Sequence, residues 1–127
     1  MSLALDARDI PGGGLSIVCD GVLDSATSPE LDRRITESLQ KGKARLVCDL
    51  SKVTYISSAG VGVLVSALHG CQERKGKLVL VYPEPKDDRT GLSNKFNPLE
   101  VFDLLGLRQT FTIVDTLAEA ERQVVAR

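Results

Sequence analysis

The chain has no basic block, no long apolar run, no close cysteine pair and a single histidine, and each shortage removes a class of function. Its 16 Lys and Arg stand against 17 Asp and Glu, a formal charge of −1. No segment is able to neutralise a run of phosphates, so nucleic acid is not an expected partner. The longest apolar stretch near the middle, Val61 to Leu68, is interrupted by Gly62 and Ser66 and falls far short of the ~20 residues that cross a bilayer. Direct membrane insertion is not expected. Asp6, Arg8 and Asp9 break up the first residues, which lack the apolar core of a signal peptide, so the chain reads as cytoplasmic. Cys19, Cys48 and Cys71 lie 29 and 23 residues apart in apolar surroundings. Without a Cys-x-x-Cys pair they read as reduced core residues, not as a zinc or redox site. No His, Cys and carboxylate cluster is present to hold a metal, and no cofactor is expected.

What remains is the balance of a folded domain: 127 residues, 43% apolar and 26% charged, enough for one core of ordinary size. No repeat, linker or low-complexity segment divides it. Ser2 to Ile10 alternates loosely, Pro11-Gly12-Gly13-Gly14 interrupts, and Leu15 to Cys19 resumes a period of two, which predicts an antiparallel hairpin. The glycines open onto a strand and no Lys-Ser/Thr follows, so they form a turn and not a phosphate loop. Ser28 as cap, Pro29 in the first turn, and Leu31, Ile35 and Leu39 at four-residue spacing predict a helix to about Gly42. Arg45 to Leu50 is a nearly continuous apolar run, the mark of a central strand covered on both faces.

A second helix is expected to start at Ser57-Ser58, carry Val61, Leu64, Val65, Leu68 and Cys71 inward, and close at Arg74-Lys75-Gly76. Lys77 to Tyr82 is another buried strand, ended by Pro83 and Pro85. The polar, turn-rich residues from Pro83 to Asn97 are expected to form a long surface loop at the carboxyl edge of the sheet, able to widen a partner surface. Asn97 as cap begins a short helix with Val101, Phe102 and Leu105 that stops at Gly106; Phe111 to Val114 is a last strand; Thr116 and Glu119 form a capping box for a C-terminal helix with Leu117, Ala120 and Val124 inward. The order β β α β α β α β α predicts an α/β fold, a mainly parallel sheet of about five strands with one edge strand breaking the pattern and helices packed against it.

A Ser-His-Asp hydrolase fails on spacing, since Ser58 and His69 lie eleven residues apart on one expected helix, ~16 Å at 1.5 Å per residue. The remaining chemistry sits at the strand-to-helix junction Asp49 to Val61. Such a junction presents backbone N–H groups and the positive end of a helix dipole, which suit an anion and an exposed hydroxyl. The bland alternative is that Ser57 caps the helix and Gly60 permits close packing.

The stretch from Leu46 to Leu64, LVCDLSKVTYISSAGVGVL, resembles the signature of STAS domains, the family of bacterial anti-sigma factor antagonists and of regulatory tails on sulfate-type transporters. The family form is an apolar strand ending in Asp-Leu, a short loop with an aromatic, then Asp/Ser-Ser-x-Gly opening a helix. DGVLD, Asp20 to Asp24, matches a second family element, Gly-x-Leu-Asp at the end of the second strand, and VDTLAEA fits its final helix. The resemblance covers nearly the whole chain, least in residues 83–97. It implies a non-enzymatic binding module that engages an anti-sigma factor serine kinase and is reset by a serine phosphatase. By motif position Ser58 is the phosphoacceptor, with Ser57 the alternative, and Asp24, Ser57, Ser58 and Gly60 are the partner-binding residues. Ser57 stands where antagonists more commonly carry Asp. The free protein is expected to be a monomer. A stand-alone accessory subunit of a membrane transport system, working without phosphorylation, is the other reading, and a small-molecule-binding STAS protein or an enzyme on a flavodoxin-like sheet comes third.

Overall fold

Period-two segments pair into one sheet and period-3.6 segments cover it, as the patterning requires. The computed structural model describes residues 2–82 and 98–126. Among them run β1 (Leu3–Ile10), β2 (Gly14–Leu23), α1 (Ser28–Gln40), β3 (Arg45–Ile56), α2 (Ser58–Glu73), β4 (Lys77–Val81), α3 (Pro98–Leu104), β5 (Thr112–Val114) and α4 (Leu117–Val125). The strands lie in chain order in one five-stranded sheet. β1 pairs antiparallel with β2, and every later pair is parallel. The α/β class, the element order and the single antiparallel edge are those expected. The anticipated loop from Pro83 to Asn97 lies outside the described residues.

Alternation along the strands divides the sheet into two apolar faces. One buries Ile17, Cys19, Leu46, Cys48 and Leu50 beneath Leu31 and Ile35 of α1, Val61, Leu64 and Cys71 of α2, and Phe102 of α3. The other sets Val47, Val79 and Val81 against Ala120 and Val124 of α4. Phe102 is fully buried and meets Phe111 edge-on, ring centroids 5.4 Å apart, a favoured aromatic geometry.

Three local expectations change. Thr27, not Ser28, is the N-cap of α1, and Ser28 and Pro29 are its first two residues. The cap of α4 is half a capping box: Thr116 Oγ1 accepts from Glu119 N at 3.2 Å, while the Glu119 carboxylate turns to Arg122 and Gln123. The third concerns β3, which runs through twelve residues to Ile56 where the apolar run suggested an end at Leu50. Its second half stays in the sheet by two register shifts against β2. At the first, Asp49 Oδ1 accepts from Ser51 N at 2.9 Å and from Ser51 Oγ at 2.6 Å, a local side-chain bond of the kind that competes with ladder pairing.

The three cysteines are buried and free. Burial pushes the Cys19 thiol up to about 12, with the nearby Asp49 charge adding, pushes Cys71 to about 11, and holds Cys48 well above its ordinary range. An unfolded chain ionises such thiols near 9.0, so above that pH the unfolded state loses protons that the folded state keeps. The thiols therefore leave stability unchanged well below pH 9 and lower it between pH 9 and 12. Thermal melts across that range should show the fall, and Cys19→Ala should make it shallower.

Candidate functional site

β2 and β3 end side by side at the carboxyl edge of the sheet, Val22 opposite Tyr55 and Leu23 opposite Ile56. The chain leaves β2 into the turn before α1 and leaves β3 directly into α2, so Asp20–Asp24 and Ser57–Gly60 meet at one edge. The two segments are joined by a hydrogen bond: Ser57 N donates to Leu23 O at 2.9 Å. Gly60 lies buried beneath, where an added Cβ would stand 2.8 Å from both Leu23 O and Leu23 Cγ and 3.0 Å from Ile56 Cγ1. Its place in the site is to let α2 sit on the end of β2; it offers no surface of its own to a partner.

The two serines divide the work. Ser57 is the N-cap, extended at φ −97° and ψ 173°, and its Oγ accepts from Gly60 N at 3.4 Å. Its carbonyl takes the first intrahelical bond, from Val61 N at 3.0 Å. Ser58 is the first helical residue, exposed, and its hydroxyl bonds to nothing among the described residues. The amides of Ser58 and Ala59 precede that first helical bond, so the turn keeps donors and a positive dipole end beside a free hydroxyl.

Asp24 is held by its own loop. Oδ1 accepts from Ala26 N at 3.0 Å and Thr27 N at 3.1 Å, with the Thr27 hydroxyl 3.2 Å away. Asp24 N in turn donates to Thr27 Oγ1 at 2.9 Å, and that hydroxyl donates to Val22 O at 2.7 Å. Partial burial pushes the Asp24 carboxyl up, but the amide bonds from Thr27 and Ala26 outweigh it and the carboxyl sits below its usual range. The recognition role expected of Asp24 thus shares the side chain with a structural one. Thr27, which closes this turn, was not among the expected site residues; the spacing Asp-x-x-Thr ahead of a helical pattern is the signal that marks it. Tyr55, 45% exposed on the rim of β3, is the aromatic of the junction and stands on a strand, not in a loop.

His69 is exposed on α2, well along the helix from Ser58. Among the described residues no group of three or more His, Cys, Asp or Glu is placed to hold a metal, and no helix is long and apolar enough to cross a membrane.

Comparison with known proteins fits this edge. The STAS domain family profile matches residues 5–120. The chain belongs to the STAS domain family. BtrV of Bordetella bronchiseptica, whose name designates it an anti-sigma factor antagonist, is 30% identical over 117 residues, 91% of this chain and 88% of BtrV. The crystal structure of an anti-sigma factor antagonist from Mycobacterium paratuberculosis superposes with a TM-score of 0.80 at 24% identity, covering 98% of this chain and 96% of the other. The Bacillus cell fate determinant SpoIIAA in its phosphorylated form gives 0.69 at 19% identity, over 95% and 99% of the two chains; both likenesses are of fold.

The close approach at Gly60 carries an expected outcome. Gly60→Ala should cost about 1–3 kcal/mol by overpacking against the backbone of Leu23, read as a lower urea midpoint at unchanged m-value, whereas Ser58→Ala at the exposed neighbouring position should leave the midpoint within about 0.5 kcal/mol of the parent.

Proposed function

We propose that this STAS protein is an anti-sigma factor antagonist, a binding module that engages an anti-sigma factor serine kinase and is released from it by phosphorylation of Ser58, with a serine phosphatase restoring the binding form. The observation that carries the reading is the division of labour between the serines: Ser57 is spent as a cap, and Ser58 is left exposed and unbonded at the helix start. The name of BtrV supports the functional class, and the phosphorylated SpoIIAA shows that a chain of this fold accepts phosphate.

The switch is electrostatic. Phosphoserine adds about −1.5 to −2 charge at neutral pH, against a formal charge of −1 for the whole chain. Placed at the first turn of α2, that charge is met by free amides and the dipole, so the fold tolerates it. A partner that had packed against a neutral hydroxyl next to the Asp24 turn would instead face a desolvated dianion beside a carboxylate, and would leave. Ser57 in place of the family's commoner Asp does not argue for the transport-subunit reading, because its hydroxyl performs the cap that a carboxylate would.

Incubation with a candidate anti-sigma serine kinase and ATP, followed by intact mass, should show the addition of one phosphate. Ser58→Ala should take up none while still binding the kinase; uptake that survives in Ser58→Ala and disappears in Ser57→Ala would overturn the assignment. No uptake with any such kinase, together with retention by a transporter component, would favour the accessory-subunit reading. Asp24→Asn should lower both the melting temperature, through its loop bonds, and kinase affinity. Normal affinity in a less stable Asp24→Asn protein would confine Asp24 to the structural role.

A further inference from the structure

β1 is an eight-residue edge strand, and among the described residues nothing pairs with its outer side. Which residues point outward is fixed by one bond: Val22 N donates to Ser2 O at 3.1 Å. Residues of an antiparallel strand alternate between bonding to the neighbour and facing away. With Ser2 bonding inward, so do Ala4, Asp6 and Arg8, while Leu5, Ala7 and Asp9 turn their N–H and C=O groups out of the sheet. Free edges of this length are open to strand addition.

We propose that this edge pairs antiparallel with β1 of a second copy about a twofold axis at Ala7. In that register Ala7 faces Ala7 and Leu5 faces Asp9, and all of these are residues whose backbone groups point outward. The non-bonded positions between them set Asp6 of each copy against Arg8 of the other, at the closer Cα spacing of about 4.5 Å. Arg8 and Asp6 are both exposed and already pair within the strand at 3.0 Å, so the axis gathers two cations and two anions in alternation. Neighbouring registers are repelled: a two-residue slip one way sets Asp6 against Asp6, and the other way Arg8 against Arg8. Pro11 has no N–H and ends the ladder, leaving three residue pairs and a weak, concentration-dependent dimer. Where the sequence alone suggested a monomer, the edge points to this self-association. α2 packs over β3 and β4, so the pairing leaves the Ser58 turn open, and it stands independently of the phosphorylation reading.

Sedimentation velocity from micromolar to millimolar protein tests it. The unaltered chain should shift from monomer to dimer. Arg8→Asp should weaken the association by on the order of tenfold, from two lost cross-strand pairs and new like-charge contacts. The exchange Asp6→Arg with Arg8→Asp should restore it, because the exchanged pair is again self-complementary. Ala7→Pro, which removes an N–H that makes no bond within the protomer, should abolish it while the melting curve stays cooperative. A chain that remains monomeric at millimolar concentration, an Arg8→Asp variant that associates like the parent, or a double exchange that fails to restore pairing would overturn the proposal.

Discussion

The carboxyl edge of the sheet depends on one contact, the seating of the first turn of α2 on the end of β2 through the Ser57 N–H to Leu23 O bond and the missing side chain of Gly60. Leu23 is fully buried, so its backbone cannot shift to accommodate a bulkier neighbour. That fixity reaches both candidate segments at once. The residue after Leu23 is Asp24, which begins the turn into α1, and the residue after Ser57 is Ser58. A displacement of either segment would therefore be felt by the other, which is how two loops distant in sequence come to act as one surface.

The three fixed residues of Gly21-Val22-Leu23-Asp24 each answer to a separate constraint. Gly21 has φ +124°, and a Cβ there would stand 2.3 Å from Ser2 O, so only glycine allows β2 to lie against β1 at the point where its register against β3 shifts. Leu23 anchors the edge in the core, and Asp24 closes the turn through amides. The motif is thus a description of how β2 must end if a helix start is to rest on it. β3 contributes the complementary half: its shifts against β2 let it take up more residues than its partner over the same length, and so deliver Ser57 beside Leu23.

Element types and order were legible in the sequence because the long segments are strongly periodic: Leu31 and Ile35 on α1, the nearly continuous apolar run from Leu46 to Leu50, and Val61, Leu64 and Leu68 on α2 place their apolar residues in the core that the spacing implies. The second half of β3 was not legible. Ser51, Lys52 and Thr54 are exposed polar residues that read as loop because only one face of the sheet is covered there and the Asp49–Ser51 bond disguises the pairing. The cap of α1 was misplaced by one residue for a related reason: Ser28 has the right chemistry, but the Asp24–Thr27 turn fixes where the helix begins. At the site, the sequence singled out Ser58 and Asp24 through resemblance, and the structure adds what resemblance does not carry, namely that Ser57 and Gly60 serve the geometry of the turn while the Ser58 hydroxyl remains free.

That separation bears on how a switch of this kind is compatible with a stable fold. A modified group that also held the core would couple every phosphorylation to partial unfolding, since a buried dianion without partners is far costlier than a single domain's margin of stability. Here the capping hydroxyl and the hydroxyl proposed for modification are adjacent but distinct, and the apolar residues closest to the turn, Leu23, Ile56 and Val61, are packed beneath the backbone and away from the exposed serine. Charge added at Ser58 would act outward on whatever lies against the edge. The free energy of the change would then appear in the affinity for a partner, with little of it in the stability of the chain, and that is the requirement for a protein that must survive many cycles of binding and release.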